Sequence, residues 1–524
     1  MKPFRSFLFL AGIVSVLLLA DILGRRAGYE GFLNLRTERV VLLPQGRWQG
    51  LWQGRGKMWV QEEDREILSL QEVWAQDTLM NFYRRIYRLD ADIFLDEELQ
   101  GIPVTPFEFD SSQTGRTLLD DFFVKLLVMR NPDYAESLRE WYAKPDFWTE
   151  ALAGNRKDFV RILHFGDSQI ENDRITSTLR RFFQDDFGGR GPGLLPLFAS
   201  YHALQPTVSG AWHTVKAEKN SRRGNYGIYD AHLTCPPLQT LVRSKKKVSG
   251  TLEYRFPEDF DAPFVDVLVH SDLPATSLRL SEDGKTVHAE GQLETFGQKR
   301  LTYPLAPGIR KLDLEVELRK NHTLYALAAN DTVGVSVDNI AVRGGAGTVF
   351  TPNNRRFLTD QYMLLNTGLI IYQFGVNALK NTSAQNHDYS YFRLLLLQEL
   401  TYVRTQMPDV PVIVVGVADK PQGNLRAGQI SDVEQIRRIQ KEVAFQTGCI
   451  YWDLCEAMGG KNSMKRWAEA SPALASSDYV HFTERGAEVA GTLFYKAFLN
   501  QYRDFLLRER KNLMLLRAKQ LQGE

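Results

Sequence analysis

The chain has 524 residues, more than one ordinary domain holds, so two or three domains are expected. Its 64 Lys and Arg against 63 Asp and Glu leave a formal charge of +1, which excludes nucleic-acid binding by bulk electrostatics, while 44% hydrophobic residues support a sizeable core. Three cysteines (Cys235, Cys449, Cys455) form no CxxC pair and nine scattered histidines form no HExxH, so a disulfide scaffold is excluded and neither metal nor cofactor is expected.

Residues 1–26 read as an export segment. Lys2 and Arg5 precede an uncharged apolar run over 6–20, which continues after Asp21 through Ile22-Leu23-Gly24 to Arg25-Arg26. The run is long for a signal-peptide core and short of the about 20 residues of a full span, and small residues for cleavage are poorly placed before Asp21. An uncleaved signal-anchor over 6–24 is expected, with a cleaved signal as the alternative. Either places the body outside the cytoplasm, which in a bacterial cell means the periplasmic face of the envelope. Residues 27–157 form an N-terminal, mainly helical segment with a Gly/Trp-rich opening (Trp48, Trp52, Gly54, Gly56, Trp59) and a helical pattern around Leu118-Leu119-Asp120-Asp121-Phe122-Phe123.

In Arg161-Ile162-Leu163-His164-Phe165-Gly166-Asp167-Ser168 an apolar run stops abruptly and a helical pattern follows. A strand handing a serine to a helix N-terminus would set Ser168 among unpaired N–H groups, which suits a nucleophile; the alternative is a plain turn with Ser168 as a cap. The Gly-rich stretch Gly188-Gly189-Arg190-Gly191-Pro192-Gly193 follows. It lacks the Gly-Lys-Ser/Thr of a nucleotide loop.

Between residues 201 and 349 the texture changes to short alternating strands, at 248–256, 265–270, 311–316 and 333–340, with turns between them. That pattern predicts an inserted all-β sandwich. An α/β rhythm then returns, with apolar strands at 369–374, 410–416 and 449–454 alternating with helices around 389–406, 433–447 and 486–499, so residues 158–200 and 350–500 together predict a parallel sheet flanked by helices. The first of these strands ends in Phe374-Gly375-Val376-Asn377, a side-chain amide beside a close-approaching backbone, and these are parts of an oxyanion hole. In Ser477-Asp478-Tyr479-Val480-His481-Phe482, Asp478 and His481 are three apart on a loop entering a helix, so the acid can fix the tautomer of the base. Asp453 is the competing acid. Residues 501–524 predict a basic amphipathic helix, either solvated or docked on an anionic membrane surface.

Ser168, Asn377 and the Asp478/His481 pair occur in one order, each beyond an apolar strand, and with the Gly-rich stretch they make the chain resemble the SGNH, or GDSL-type, hydrolase family. Gln169 stands where the fullest family pattern has leucine. The resemblance implies a flavodoxin-like three-layer α/β fold, Ser168 as nucleophile, and Asp478 and His481 as its acid and base. It implies an oxyanion hole from the Ser168 N–H, the Asn377 amide and a second-block glycine, for which Gly188, Gly189, Gly191 and Gly193 compete and Gly191 is favoured. With the inserted sandwich, and with Val337-Asp338-Asn339-Ile340-Ala341-Val342-Arg343-Gly344 and Met458-Gly459-Gly460-Lys461-Asn462-Ser463-Met464, the layout is similar to that of the peptidoglycan O-acetylesterases.

The function so implied is removal of O-acetyl groups from a cell-envelope glycan through an acyl-enzyme. A membrane-anchored glycan O-acetyltransferase, served by an integral-membrane acyltransferase as acyl donor, is the alternative. A non-catalytic glycan-binding envelope protein is the third. Expected partners are an acetylated glycan and the membrane, with no nucleic acid.

Overall fold

The computed structural model describes residues 104–110, 117–130, 158–195, 209–213, 248–271, 277–282, 285–290, 297–318, 322–352, 355–379, 387–421 and 430–522. The export segment over 1–26, the Gly/Trp-rich opening and Cys235 lie outside the described residues. Two compact units divide the chain, residues 81–507 and residues 1–80 with 508–524; the three sheets belong to the first.

After helix α1 (Leu118–Arg130) comes β1 (Phe159–Gly166), whose eight residues are all buried, as expected of a central strand covered on both faces. Helix α2 (Thr176–Phe187) leads to β2 (Gly193–Leu195) and then to β3 (Ser209–His213), β4 (Val248–Arg255), β5 (Phe264–Ser271), β6 (Ser277–Glu282), β7 (Lys285–Glu290), β8 (Gly297–Pro304), β9 (Lys311–Leu318) and β10 (His322–Asn330). These strands make two antiparallel sheets, ordered β2-β10-β5-β8 and β3-β4-β9-β6-β7. The two sheets share one apolar core, to which Leu195, Val265, Val267 and Leu327 contribute from the first and Tyr254, Leu280, Leu312 and Leu314 from the second.

The remaining strands are β11 (Gly334–Ala341), β12 (Thr367–Gln373), β13 (Val412–Val415) and β14 (Ile450–Trp452). With β1 they form a parallel five-stranded sheet in the order β11-β1-β12-β13-β14. Helices α3 (Arg355–Leu364), α4 (Ser390–Gln406) and α5 (Asp432–Gln446) cover one face, where Leu163, Phe165, Ile370, Tyr372, Val412 and Val414 join their apolar residues in one cluster. After α6 (Leu454–Ala457) and α7 (Ser463–Glu469), helix α8 (Glu484–Gln522) packs with α1 and α2 on the other face through an aromatic cluster in which Phe498 meets Phe183, Phe123 and Phe122. Strand side chains alternate between faces, so Leu163 and Phe165 point one way and His164 the other, where it lines a small internal cavity with Ile371, Leu179 and Phe494.

Three expectations are corrected. The alternating stretch 333–340 does not belong with the antiparallel strands: as β11 it pairs in parallel with β1, Gly334 opposite Phe159 and Ala341 opposite Gly166. Its polar positions face a buried network rather than water. Arg161 lies between Asp338 at 2.7 Å and Asn330 at 2.6 Å, both ions of the pair are almost wholly buried, and Ser336 and the Leu194 N–H also bond to Asp338. Conversely Gly193–Leu195 leaves the first catalytic stretch for the antiparallel sheet. The segment expected as a separate C-terminal helix is part of α8, and Tyr502, Phe505 and Leu506 are core residues within it.

Among the described residues no helix is long and apolar enough to cross a membrane. Cys449 and Cys455 are free and buried, and burial pushes their thiols up to about 11 and about 12, so neither is a reactive thiolate.

Candidate active site

Open parallel sheets expose their loops beyond the carboxyl ends of the strands, and there β1 delivers Ser168. The serine does not open an α-helix, as the sequence suggested. A turn closed by the Ile170 N–H on the Asp167 carbonyl follows β1, then a short 3₁₀ turn (Glu171–Asp173), and α2 begins only at Thr176. Asn172, Asp173 and Ile175 all have positive φ near 60°, which is costly for a β-branched side chain such as Ile175.

Long-range bonds hold this conformation. Arg180 clasps Asp173 through both terminal nitrogens (2.5 and 2.8 Å), the Asn339 amide donates to the Ile170 carbonyl and the Thr176 hydroxyl, and Thr176 also pairs with His164 Nδ1 at 2.9 Å. His164 is buried, and burial holds its ring down at about 4, so it is neutral at physiological pH. Asp167 accepts the Gln169 N–H at 2.9 Å, but burial dominates and pushes its carboxyl up to about 7.

His481 comes from the far end of the chain on a small hairpin. Ala475 bridges Phe482, the Ser476 N–H donates to the His481 carbonyl, and Tyr479 turns the tip with φ +56°. Phe482 anchors the hairpin against Trp467. The hairpin brings His481 Nε2 to 2.8 Å from Ser168 Oγ, and His481 Nδ1 stands 2.7 Å from Asp478 Oδ2. The other oxygen of Asp478 accepts the Val480 and His481 N–H groups at 2.9 and 3.1 Å. This network assigns the proton to Nδ1 and leaves Nε2 as the acceptor for the Ser168 hydroxyl. Partial burial works to raise the Asp478 carboxyl, but the His481 ring and the two backbone donors outweigh it and hold the group below the usual carboxylate range. Asp453 is not the partner of His481. Its carboxylate caps α6 and pairs with Arg437 at 2.6 Å.

Of the oxyanion candidates, Asn377 lies in a 3₁₀ turn (Val376–Ala378) just beyond β12, with its amide nitrogen donating to the Gly345 carbonyl at 3.0 Å. An amide nitrogen carries two protons, so this bond orients the carboxamide while using one of them. Gln440 of α5 ties the Phe374 carbonyl to the Val417 N–H and so fixes the strand ends beneath it.

Gly191 does not fit the role. The Gly-rich stretch lies where α2 ends, at the amino edge of the sheet: Gly188 bonds to Val335 at the start of β11, and the Gly191 N–H donates to Asp261 at 3.2 Å. An eight-residue strand separates that edge from Ser168, roughly 25 Å at the usual rise. The loop that does flank Ser168 is Val342-Arg343-Gly344-Gly345-Ala346-Gly347, directly after β11. Its Val342 N–H bonds to the Gly166 carbonyl and its Gly345 accepts Asn377, so the loops after β11 and β12 meet beyond the end of β1. Gly344 has φ +73° and open space where a side chain would point. Three glycines after an alternating strand were visible in the sequence, but only the pairing of β11 with β1 gives them this position.

Serine, imidazole and carboxylate are thus bonded in series at the carboxyl end of a parallel sheet, the arrangement that nucleophilic acyl transfer requires. Among the described residues no group of His, Cys, Asp or Glu is placed to hold a metal.

No protein-family model and no curated protein sequence matches the chain. Among solved structures, a peptidoglycan O-acetylesterase aligns at 19% identity over 66% of this chain and 92% of its own, with a TM-score of 0.49. An acetyl xylan esterase aligns at 15% identity over 31% of this chain and 81% of its own (TM-score 0.24). A family two carbohydrate esterase from Clostridium thermocellum aligns at 10% identity over 56% and 99% (TM-score 0.20). None of these scores reaches the level of a shared fold, and the chemistry below rests on the residues of this chain.

Proposed function

We propose that the protein is a serine esterase that removes O-acetyl groups from a cell-envelope glycan. The single observation that carries the chemistry is the bonded chain Ser168–His481–Asp478 at 2.8 and 2.7 Å. In the reaction Ser168 Oγ attacks the acetyl carbonyl carbon as His481 Nε2 takes the hydroxyl proton, and Asp478 holds the resulting imidazolium. The oxyanion is met by the Ser168 N–H, the Asn377 amide and an N–H of the Gly344–Gly347 loop, each worth about 10²–10³ in rate. Collapse breaks the bond to the sugar oxygen, which leaves with the proton from His481. Water, deprotonated by His481, then attacks the acetyl carbonyl, and the Ser168 Oγ–carbon bond breaks as His481 returns the proton to Oγ and acetate leaves.

The substrate class comes from the sequence resemblance and from the two antiparallel sheets sharing one core between β1 and β11, which we read as an inserted carbohydrate-binding-like sandwich. The apolar run over 6–20, resumed after Asp21 through Gly24, supports our reading of an enzyme held by that segment at the periplasmic face.

The test compares wild type with Ser168→Ala on an acetylated glycan and on 4-nitrophenyl acetate, with and without an acceptor sugar. The expected outcome is acetate release that drops by about 10⁴–10⁶ in the variant. Acetyl transfer to the sugar outrunning release would replace the esterase by a transferase, and turnover independent of Ser168 would reject both.

A further inference from the structure

We propose that Gln169 is a positioning residue that holds His481 in place while Ser168 is acylated. The inference rests on the esterase reading above and goes beyond it, because it concerns a residue that takes no part in bond making.

Gln169 follows the nucleophile directly. Its backbone N–H is fixed on Asp167, and its side chain crosses to the other half of the site, where Nε2 donates to the Val480 carbonyl at 2.9 Å. The residue is only 3% exposed, although the hairpin it reaches has Asp478 half exposed at its tip. Val480 immediately precedes His481. The carboxamide therefore joins the turn that carries the nucleophile to the peptide that carries the base. A leucine in this position has no donor and cannot make the tie.

The Ser168–His481 bond also joins the two halves, but the reaction consumes it. Once Oγ is esterified it has no proton to donate, and Nε2 must instead receive one from water. The Gln169–Val480 bond involves no reacting atom and persists through every step. It is thus a direct tie from the acylated turn to the peptide of His481 during the second half of the cycle, when a displacement of about 1 Å costs about 10²-fold.

The position of the lost step tests this. In Gln169→Met, which keeps the volume and removes the donor, kcat on 4-nitrophenyl acetate should fall about 10–100-fold, with kcat/KM falling several-fold less. KM should fall with kcat, and nitrophenol should appear as a burst of about one equivalent per enzyme, because the acetyl-enzyme accumulates. A general loosening of the site would lower kcat/KM as much as kcat and give no burst. In Gln169→Glu the carboxylate, ionised over the neutral assay range, has no proton to donate and repels the Val480 carbonyl, so kcat should fall at least as far as in Gln169→Met, with the same burst.

Wild-type kinetics in Gln169→Met or in Gln169→Glu overturns the proposal, as does an equal fall of kcat and kcat/KM without a burst; if the first variant does not fold, the second decides. Wild-type turnover surviving Ser168→Ala would instead reject the esterase reading itself.

Discussion

Two glycine clusters sit at opposite ends of the same sheet, and they do different work. Gly188, Gly189, Gly191 and Gly193 follow α2 at the amino edge, where the Val335 backbone, the Ala329 carbonyl and the Asp338 carboxylate occupy the space that side chains at the last three would need. Gly344, Gly345 and Gly347 follow β11 at the carboxyl edge, in the loop whose Val342 N–H bonds to the Gly166 carbonyl at the end of β1 and whose Gly345 carbonyl accepts Asn377. Both clusters allow close backbone approach and positive φ. Only the second stands where a parallel sheet exposes loop N–H groups to a ligand. The first seals the joint between the parallel sheet and the antiparallel pair.

The contrast is sharpened most strongly at Asp338, beneath the first cluster. Asp338→Ala leaves Arg161 as a buried charge without its carboxylate, so chemical denaturation should show about 3–5 kcal/mol less stability. The kcat of the folded fraction should stay at the wild-type level. A fall in kcat without a fall in stability would place this network at the active site and break the contrast.

The next effect sets the two edges against each other. Asn377→Ala should lower kcat about 10²–10³-fold with thermal stability unchanged. Gly191→Ala, whose Cβ would lie 2.6 Å from the Ala262 Cβ, should lower stability and leave kcat alone. Steady-state kinetics beside thermal melts checks both, and the reverse pattern would return Gly191 to the oxyanion hole.

The last comparison concerns pH. His164 titrates at about 4 in the folded protein against about 6.5 when free, so between these values the unfolded chain binds a proton that the folded one does not. Its contribution is complete above pH 6.5 and is lost as pH falls to 4. Asp167 runs the other way: raised to about 7, its contribution is complete below about pH 3.8 and is lost as pH rises through 7. The two slopes offset each other in wild type. His164→Gln should therefore expose the Asp167 slope, with denaturant midpoints falling steadily from pH 4 to 7; a flat or rising profile counts against this assignment.

Much of the site was legible because its chemistry is local. Asp478 and His481 share one short turn, so their spacing alone brings carboxylate to imidazole, and the abrupt end of an apolar run marks the carboxyl end of β1. The alternation in Val335-Ser336-Val337-Asp338 misled for a definite reason. Alternation normally marks one wet face, but here Ser336 and Asp338 are dry and bonded to Arg161, so a strand of the parallel sheet carries the pattern of an antiparallel one. That misassignment also hid the second loop of the site. With β11 counted as part of the insert, the only Gly-rich stretch left in the catalytic sequence near Ser168 was the one after α2. The delayed start of α2 was hidden similarly, since the positive φ angles of Asp173 and Ile175 are imposed by Arg180, Asn339 and neighbouring packing rather than by their own preferences.

The sequence by itself determined the buried strands, through runs of apolar residues, and the side chains with chemistry to offer: Ser168, Asn377, Asp478 and His481. Tertiary structure decided which strand lies beside β1, and so which glycines face the serine and which only seal a joint. It also decided that Gln169 reaches Val480, some three hundred residues away. The physical reason is that burial leaves a periodic trace along the chain, whereas the direction of an N–H group and the partner of a buried charge depend on residues far apart in sequence.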